Sequence, residues 1–239
     1  MKHSLQVMGA VLAISWAVAT PAVAGKCDGL PTNAQLQSLL IAASGSNAGG
    51  LFNGTRMWGA VVNRNGELCV AITSIDPTQV WPGSQAIAKA KAYTANAFSL
   101  DGLALSTARL YTFVQPGHSL FGLNNSNPFD PQFLQLPSAV GAGIGKINAG
   151  IITFGGGVPL YKSGQIIGGL GVSGDTACTD HEIAKRVRNQ AGLNPPGGPS
   201  VDDITYSSVD GASPFTHPLC LNTYRNGTFI GNELPASGY

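Results

Sequence analysis

Two mirrored cysteine–histidine pairs are the residues of this chain whose types and spacing most directly predict chemistry. The pairs are Cys178-x-x-His181 and His217-x-x-Cys220. Thiolate and imidazole groups are the ligands of tetrahedral Cys₂His₂ zinc sites. The four side chains therefore predict one of two structures, a zinc site or a disulfide between the two cysteines. We keep the disulfide as the expectation and zinc as the alternative, because His181 also fits the first turn of a predicted helix, where a solvated polar residue is common.

The cysteine count supports the disulfide. The chain has four cysteines, and the other two are Cys27 and Cys69. An even number in an exported chain is typical of disulfides, and four cysteines allow three pairings. We predict Cys27–Cys69 and Cys178–Cys220, each of which ties one terminal extension to the middle of the chain. C-x-x-C and C-x-x-C-H motifs are absent from the sequence, so redox-active and covalent haem motifs receive no support.

Glycine- and serine-containing motifs point to no nucleotide or hydrolase site. The run from Gly169 to Gly174 matches G-x-G-x-x-G by letter, but a dinucleotide fingerprint opens a βαβ unit, which we do not predict here. Ser173 lies in Gly-Val-Ser-Gly-Asp, which lacks the last glycine of G-x-S-x-G, and no base is paired with it. Ser173 is better explained as a turn or hydrogen-bonding residue at a strand end.

The N-terminus reads as an export signal. Lys2 and His3 precede an apolar run, and Ala22-Val-Ala24 fits a cleavage site before Gly25. We therefore predict a signal peptide over 1–24 and a mature chain from Gly25 that is periplasmic or secreted and has no membrane span. Lys2 is one of 13 cationic side chains, so 12 remain against 12 acidic ones. A neutral chain lacks the basic surface that nucleic acid or anionic lipid would require.

A glycine-rich hairpin is the most informative structural pattern. Two apolar runs, Val158–Tyr161 and Gln165–Val172, flank a turn in which Gly164 takes the position of positive φ. Glycines recur inside the second run, including Gly171. Because glycine weakens a strand, this pattern indicates that a helix, another backbone or a flat ligand lies against it.

The remaining elements place this hairpin in an α+β domain. A first helix, a second hairpin and a long alanine-rich helix capped by Ser84 precede it. A capping box of Thr179 and Glu182 then opens a last helix. A mostly antiparallel sheet between helices follows from this order. The predicted bounds are 32–43 (helix), 57–63 and 67–72 (hairpin), 85–100 (helix), 104–114 (short helix, then strand) and 179–190 (helix), with an irregular C-terminal arm over 193–239.

Several segments together resemble the GlcG/HbpS family, also called the haem-degrading or DUF336 family. The resemblance spans roughly 30–192, and we take 25–192 as the family domain. It implies a profilin-like antiparallel sheet flanked by helices, higher oligomers, and binding of haem or a related tetrapyrrole. The matching segments are Lys91-Ala-Tyr-Thr-Ala95 with Phe98, Gln115-Pro-Gly117 with Leu120–Leu123, Gly156-Gly-Val-Pro-Leu160, and Ile167-Gly-Gly-Leu-Gly-Val-Ser-Gly174 with Asp180.

Non-covalent haem requires an axial donor, an apolar slot and polar groups for the propionates. His118 is the best donor by chemistry, in a loop beside Phe121, although the family motif itself does not supply this histidine. Lys91 and Thr94 lie one helical turn apart and can face one site. The alternative for these two is that they brace the sheet. The predicted cofactor-binding set is His118, Lys91, Thr94, Phe121, Gly156, Gly157, Gly171 and Ser173.

The sequence is consistent with three functions. The chain is predicted to be an exported haem-binding homo-oligomer that stores, senses or buffers the cofactor. The first alternative is an enzyme that degrades haem or transforms a small metabolite in the same pocket. The second is an oligomeric scaffold without catalysis. No catalytic residue is assigned.

Overall fold

The computed structural model describes residues 26–134, 136 and 138–235. The predicted signal peptide lies outside these residues. The chain folds around a four-stranded antiparallel sheet with the strand order β2-β1-β4-β3. The strands are β1 (Trp58–Asn63), β2 (Leu68–Thr73), β3 (Gly157–Lys162) and β4 (Gln165–Ser173). Helices α1 (Asn33–Ala43), α2 (Ser84–Ala97) and α3 (Ala177–Gln190) flank the sheet, which confirms the predicted α+β class.

The helices cover opposite faces of the sheet. Alternate residues of β1 separate the two layers, with Val61 in the core beneath α1 and α3, and Trp58 in the core beneath α2. Both hairpins form with antiparallel register, and Gly66 and Gly164 take the left-handed conformation in their turns. In the part of the chain that the structure describes, no helix is both long and apolar enough to cross a membrane.

Helix α2 explains Gly169 and Gly171 of β4, whereas a Cβ at Gly168 would meet the Val62 carbonyl of β1. A Cβ atom at Gly171 would fall far inside van der Waals contact with the Ala88 carbonyl oxygen, and one at Gly169 would meet the Ala92 carbonyl oxygen in the same way. Of the three explanations that the sequence allowed, the helix is therefore the one that covers this face.

Alanine at position 171 tests this packing. Gly171→Ala is expected to lower the free energy of unfolding by about 1–3 kcal/mol, because α2 must move away from the sheet. The control is Gly102→Ala, where a Cβ meets no atom within 4 Å and the backbone is not left-handed, so its effect should stay within about 0.5 kcal/mol. Urea unfolding measures both, and equal midpoints for the two variants would contradict the packing.

Two predicted helix starts are wrong. Ser84 is the first residue of α2 and makes no cap, since Gly83 holds the N-cap position without a side-chain bond. For α3 the N-cap is Thr176, whose side chain accepts a hydrogen bond from the Thr179 amide. Thr179 therefore lies inside the helix, and the predicted box with Glu182 does not form.

The segment 104–114 contains no strand. It forms two 3₁₀ helices, Thr107–Leu110 and Thr112–Val114. Side-chain hydrogen bonds, rather than strand pairing, hold this segment. The Thr107 hydroxyl donates a hydrogen bond to the Phe154 carbonyl and accepts one from the Gly157 amide. This also holds the segment against the entry to β3.

The C-terminal arm is more regular than predicted. It includes a short helix α4 (Ser207–Asp210) and a two-stranded hairpin of β5 (Thr223–Arg225) and β6 (Thr228–Gly231). Its Asp202 is fully buried and forms a bidentate ion pair with Arg188 of α3. The arm therefore packs on the domain through buried contacts of its own as well as through a cysteine.

Candidate functional site

The structure contains both predicted disulfides, Cys27–Cys69 and Cys178–Cys220. The second bond ties the start of α3 to the C-terminal arm. This bond, the entry to β3 and the segment after α2 border one region of the molecule.

Lys91 and Asp180 form a buried ion pair at the centre of this region. Their side chains are 0% and 2% exposed, and Lys91 Nζ lies 2.6 Å from Asp180 Oδ2. Lys91 Nζ also donates to the Val172 carbonyl at 3.0 Å and lies 4.8 Å from the centre of the Phe154 ring. Asp180 Oδ1 accepts from the backbone amides of two residues that precede α3. The pair thus joins α2, β4 and the start of α3.

Burial governs the charges of this pair. It raises the pKa of the Asp180 carboxyl to about 6, and Lys91 and backbone amides oppose that rise. Burial also lowers the pKa of the Lys91 ammonium, against the attraction of Asp180. A carboxyl with a pKa of about 6 remains mostly ionised at neutral pH. Both groups are held by hydrogen bonds that involve α2, β4 and the residues before α3.

Thr94 is fully buried as well. Its hydroxyl lies within hydrogen-bond distance of the Ala90 and Gly150 carbonyls and accepts from the Ile152 amide. The predicted glycines and Ser173 are likewise buried, with Gly156 against Lys91 and Gly157 against Thr107. Direct contact of these inner residues with a ligand stays a prediction.

His118 and Phe121 lie on the surface. Both belong to the loop that follows the second 3₁₀ helix of segment 104–114, and the Phe121 side chain is 67% exposed. The loop is fixed at its base, where Phe113 accepts a hydrogen bond from the Leu120 amide and stacks edge-on against Phe215 of the arm. His118 is therefore an accessible imidazole on an anchored loop with apolar neighbours.

A cavity of about 410 Å³ lies beside Phe154 and the Cys178–Cys220 disulfide. Its wall includes Tyr111, which precedes the His118 loop, Phe154, which covers Lys91, and His217 of the arm. We call this space the Tyr111–Phe154 cavity. It is lined mainly by apolar side chains, and its size falls within the range of about 300–1,000 Å³ that is usual for small-molecule sites. The remaining lining residues are Leu51, Thr176, Ala177, Pro218, Leu219, Cys220, Leu221 and Glu233.

The predicted Cys₂His₂ set is only partly assembled. Cys178, His217 and Cys220 place one ligand atom each within 4.8 Å of one another. His181 instead directs Nε2 towards Asp203, at 3.3 Å from Oδ1. The four-residue zinc alternative is therefore not formed as predicted, and the two sulfur atoms are bonded to each other.

His217 is neutral in this environment. Burial lowers the pKa of its imidazole to about 4, which the hydrogen bond to the Pro218 carbonyl only partly offsets. The ring stacks against Tyr111 with centroids 4.8 Å apart. Sequence reasoning considered His217 only for zinc, and it did not single out Tyr111 or Phe154. Only the position of Phe154 just before the glycine-rich hairpin could have drawn attention to it.

The fold and the site define an α+β protein with a covered antiparallel sheet and an apolar cavity at the entry to its glycine-rich hairpin. Residues 33–188 match the family described as haem degrading protein HbpS-like. The match covers more than half of the chain, so the protein belongs to the HbpS-like family, which confirms the resemblance seen in the sequence.

Curated relatives match shorter segments. The corrinoid adenosyltransferase PduO of Citrobacter freundii is 30% identical over 126 residues, which is 53% of this chain and 29% of that enzyme. PduO of Salmonella typhimurium is 32% identical over 102 residues, 43% of this chain and 23% of the enzyme. The chain therefore matches less than a third of the length of these two relatives.

Solved structures that align with this chain include a PduOC complex with haem, which is 25% identical with a TM-score of 0.47 over 67% of this chain and 92% of that one. Protein ORFY of Klebsiella pneumoniae is 26% identical with a TM-score of 0.47, and the alignment covers 68% of this chain and 90% of ORFY. A double mutant of HbpS from Streptomyces reticuli is 18% identical with the same TM-score, over 77% of this chain and 98% of HbpS.

Proposed function

We propose that this protein binds haem, or a similar flat tetrapyrrole, without a covalent bond and stores, senses or buffers it outside the cytoplasm. The observation that carries the proposal is the Tyr111–Phe154 cavity at the entry to β3, whose lining residue Phe154 contacts the buried Lys91 ammonium group. Membership in a family whose description names haem supports the choice of ligand.

The residues of the cavity and those of the His118 loop fit the needs of haem in two respects. The lining offers aromatic surface, with Tyr111 and Phe154 as its largest rings. His118 offers an imidazole that is exposed to an incoming ligand, and its neighbour Phe121 offers an apolar face. In this proposal His118 is the axial donor and Phe121 contacts the ring. Bound haem supplies an iron centre that exchanges electrons.

The inner residues of the predicted set hold these groups in place. The Lys91 ammonium group packs against the face of the Phe154 ring. Thr94 and the buried glycines fix the spacing between α2 and the hairpin. In this proposal the His118 loop contacts the ligand. Lys91, Thr94 and the buried glycines position the groups around it.

Export and self-association belong to the same proposal. Two disulfides are typical of proteins that fold in an oxidising compartment. Large apolar side chains are exposed on the segment that follows the His118 loop, among them Leu136 at 76%. Contact between copies of the chain would cover such side chains, so we infer a homo-oligomer.

Substitution on the loop tests the site. His118→Ala is expected to weaken haemin binding by about tenfold or more, which is about 1.4 kcal/mol, because the iron loses its axial imidazole. Ser119→Ala, at the exposed neighbouring position, is the matched control and should leave the affinity unchanged. The measurement is a haemin titration of the mature chain followed in the Soret region, after its molar mass has been determined by sedimentation. Equal affinities for wild type and His118→Ala would place the axial donor elsewhere.

Haem degradation is the second candidate, because the family description names it. Degradation consumes an oxidant and electrons, which peroxide and a chemical reductant can supply. If the protein degrades haem, adding both to the loaded protein will bleach the Soret band faster than in free haemin and release iron. Unchanged absorbance over the same period would favour storage.

A further inference from the structure

We propose that Cys178, His217 and Cys220 form a metal site on the wall of the Tyr111–Phe154 cavity, which binds a divalent zinc-like ion when the disulfide between its cysteines is reduced. This inference goes beyond haem binding and does not rest on it. Among the residues that the structure describes, this is the one group of three cysteine, histidine or acidic side chains whose ligand atoms come within 4.8 Å of one another.

The two sulfur atoms are held together by the disulfide, and His217 adds a ring nitrogen within 4.8 Å of both. Zinc binds thiolate sulfur at about 2.3 Å and imidazole nitrogen at about 2.0 Å, so its ligand atoms lie less than about 4 Å apart. Opening the S–S bond and small side-chain movements would satisfy this spacing. The other disulfide, Cys27–Cys69, has no such histidine or acidic partner among the described residues.

His217 is prepared as a ligand by its own hydrogen bond. Its Nδ1 lies 2.7 Å from the Pro218 carbonyl oxygen, which can only accept, so Nδ1 carries the proton. The lone pair of the ring is therefore on Nε2. That atom accepts only a long hydrogen bond, 3.4 Å from the Gly155 amide. A ligating histidine whose second nitrogen donates to a backbone carbonyl is the usual arrangement in metal sites.

The site has access to solvent and a free coordination position. His217 and Cys220 both line the Tyr111–Phe154 cavity. Three protein ligands leave one position of a tetrahedral ion for water from that cavity, and His181 does not fill it because it faces Asp203. We therefore expect a three-ligand centre with one open position.

Reduction and binding are two balanced steps. A dithiol, or a phosphine in the laboratory, transfers two electrons to the S–S bond, and the sulfurs take up two protons as thiols. The dithiol becomes a disulfide, or the phosphine becomes its oxide. Binding of the divalent ion then releases both thiol protons to solvent, and the ion holds two thiolates and neutral His217.

Cobalt(II) tests the proposal, because its absorption reports thiolate ligation directly. The mature chain is reduced with a phosphine under argon, freed of reductant and titrated with Co²⁺. We expect one ion per chain with sulfur-to-cobalt charge-transfer absorption, and displacement by an equal amount of Zn²⁺. The oxidised protein should show no such absorption. Absence of the absorption in the reduced chain, or the same absorption in the oxidised chain, would overturn the proposal.

Variants assign the ligands. Cys178→Ala/Cys220→Ala should abolish the absorption, whereas the matched control Cys27→Ala/Cys69→Ala should retain it. His217→Gln should weaken binding by about tenfold or more. The opposite pattern for the two cysteine pairs would contradict the assignment.

A measurement on the unmodified chain covers the case in which a variant fails to fold. Zn²⁺ should protect Cys178 and Cys220, but not Cys27 and Cys69, from alkylation of the reduced protein, as read by peptide mass spectrometry. Equal protection of all four cysteines would count against the site. Haem binding is tested on the oxidised chain, so failure of either proposal is recognised separately.

Discussion

Replacing Lys91 with methionine is expected to lower the free energy of unfolding by about 3–5 kcal/mol, which is the usual cost of breaking a buried ion pair from one side. Methionine is similar to lysine in length, so the main change is the loss of the positive charge. The Asp180 carboxylate, whose side chain is only 2% exposed, would then be buried without a cation beside it. Because this pair joins α2 to the start of α3, the whole arrangement of sheet and flanking helices should lose stability.

The double variant Lys91→Met/Asp180→Asn should recover much of that loss. Asparagine keeps an oxygen that can accept the amides of Gly174 and Asp175, and it removes the buried charge. A double-mutant cycle from urea unfolding measures the coupling. If the two single losses simply added in the double variant, the pair would not be energetically coupled and this account of Lys91 would fail.

The same double variant separates the two roles considered for Lys91. If Lys91 only positions Phe154 and the hairpin, a folded double variant should bind haemin with an affinity near that of the wild type. If Lys91 contacts the ligand, as its spacing to Thr94 in the sequence predicts, the affinity should fall even though the protein is folded. The haemin affinity of the double variant therefore distinguishes ligand contact by Lys91 from a positioning role, which unfolding measurements alone cannot do.

Replacing Asp202 with alanine should also cost about 3–5 kcal/mol. Asp202 and Arg188 are both 0% exposed and share two hydrogen bonds, at 2.6 and 2.8 Å. Alanine would leave the guanidinium buried with only backbone carbonyls as partners. Hydrogen exchange of the amides near 199–206 should rise sharply, because the arm loses its buried anchor.

Asp210→Ala is the matched control for this prediction. It removes the partner of Arg225, an ion pair that is about a quarter exposed on both sides. Such pairs contribute about 0–1 kcal/mol. Denaturant unfolding of both variants measures the difference. Equal losses for the buried and the exposed pair would show that the arm is not anchored through Arg188.

Sequence patterns predicted the parts of this fold that depend on local spacing. Alternating apolar residues and the glycines at 66 and 164 define both hairpins. The glycine run of β4 correctly indicated a close neighbour, which is α2. The start of α3 was misplaced by one turn, because Thr176 and Thr179 are both residues that can cap a helix and only the fold decides which of them does so.

Long-range pairing explains what the sequence left open at the site. Lys91 and Asp180 are 89 positions apart, and only the packing of α2 over β4 brings them together. The cavity depends on the arm, which brings His217 to Tyr111 and Phe154 from more than 60 residues away. The arm shows little periodicity in sequence, so neither its hairpin nor its part in the cavity could be predicted.

The most direct test of haem binding is a haemin titration of the oxidised mature chain, Gly25–Tyr239, followed by absorbance. The account predicts a saturable Soret shift that ends near one haem per subunit, with the cavity mutation Phe154→Ala weakening it and Ser119→Ala leaving it unchanged. A featureless titration that never saturates would contradict haem binding by this member of the family.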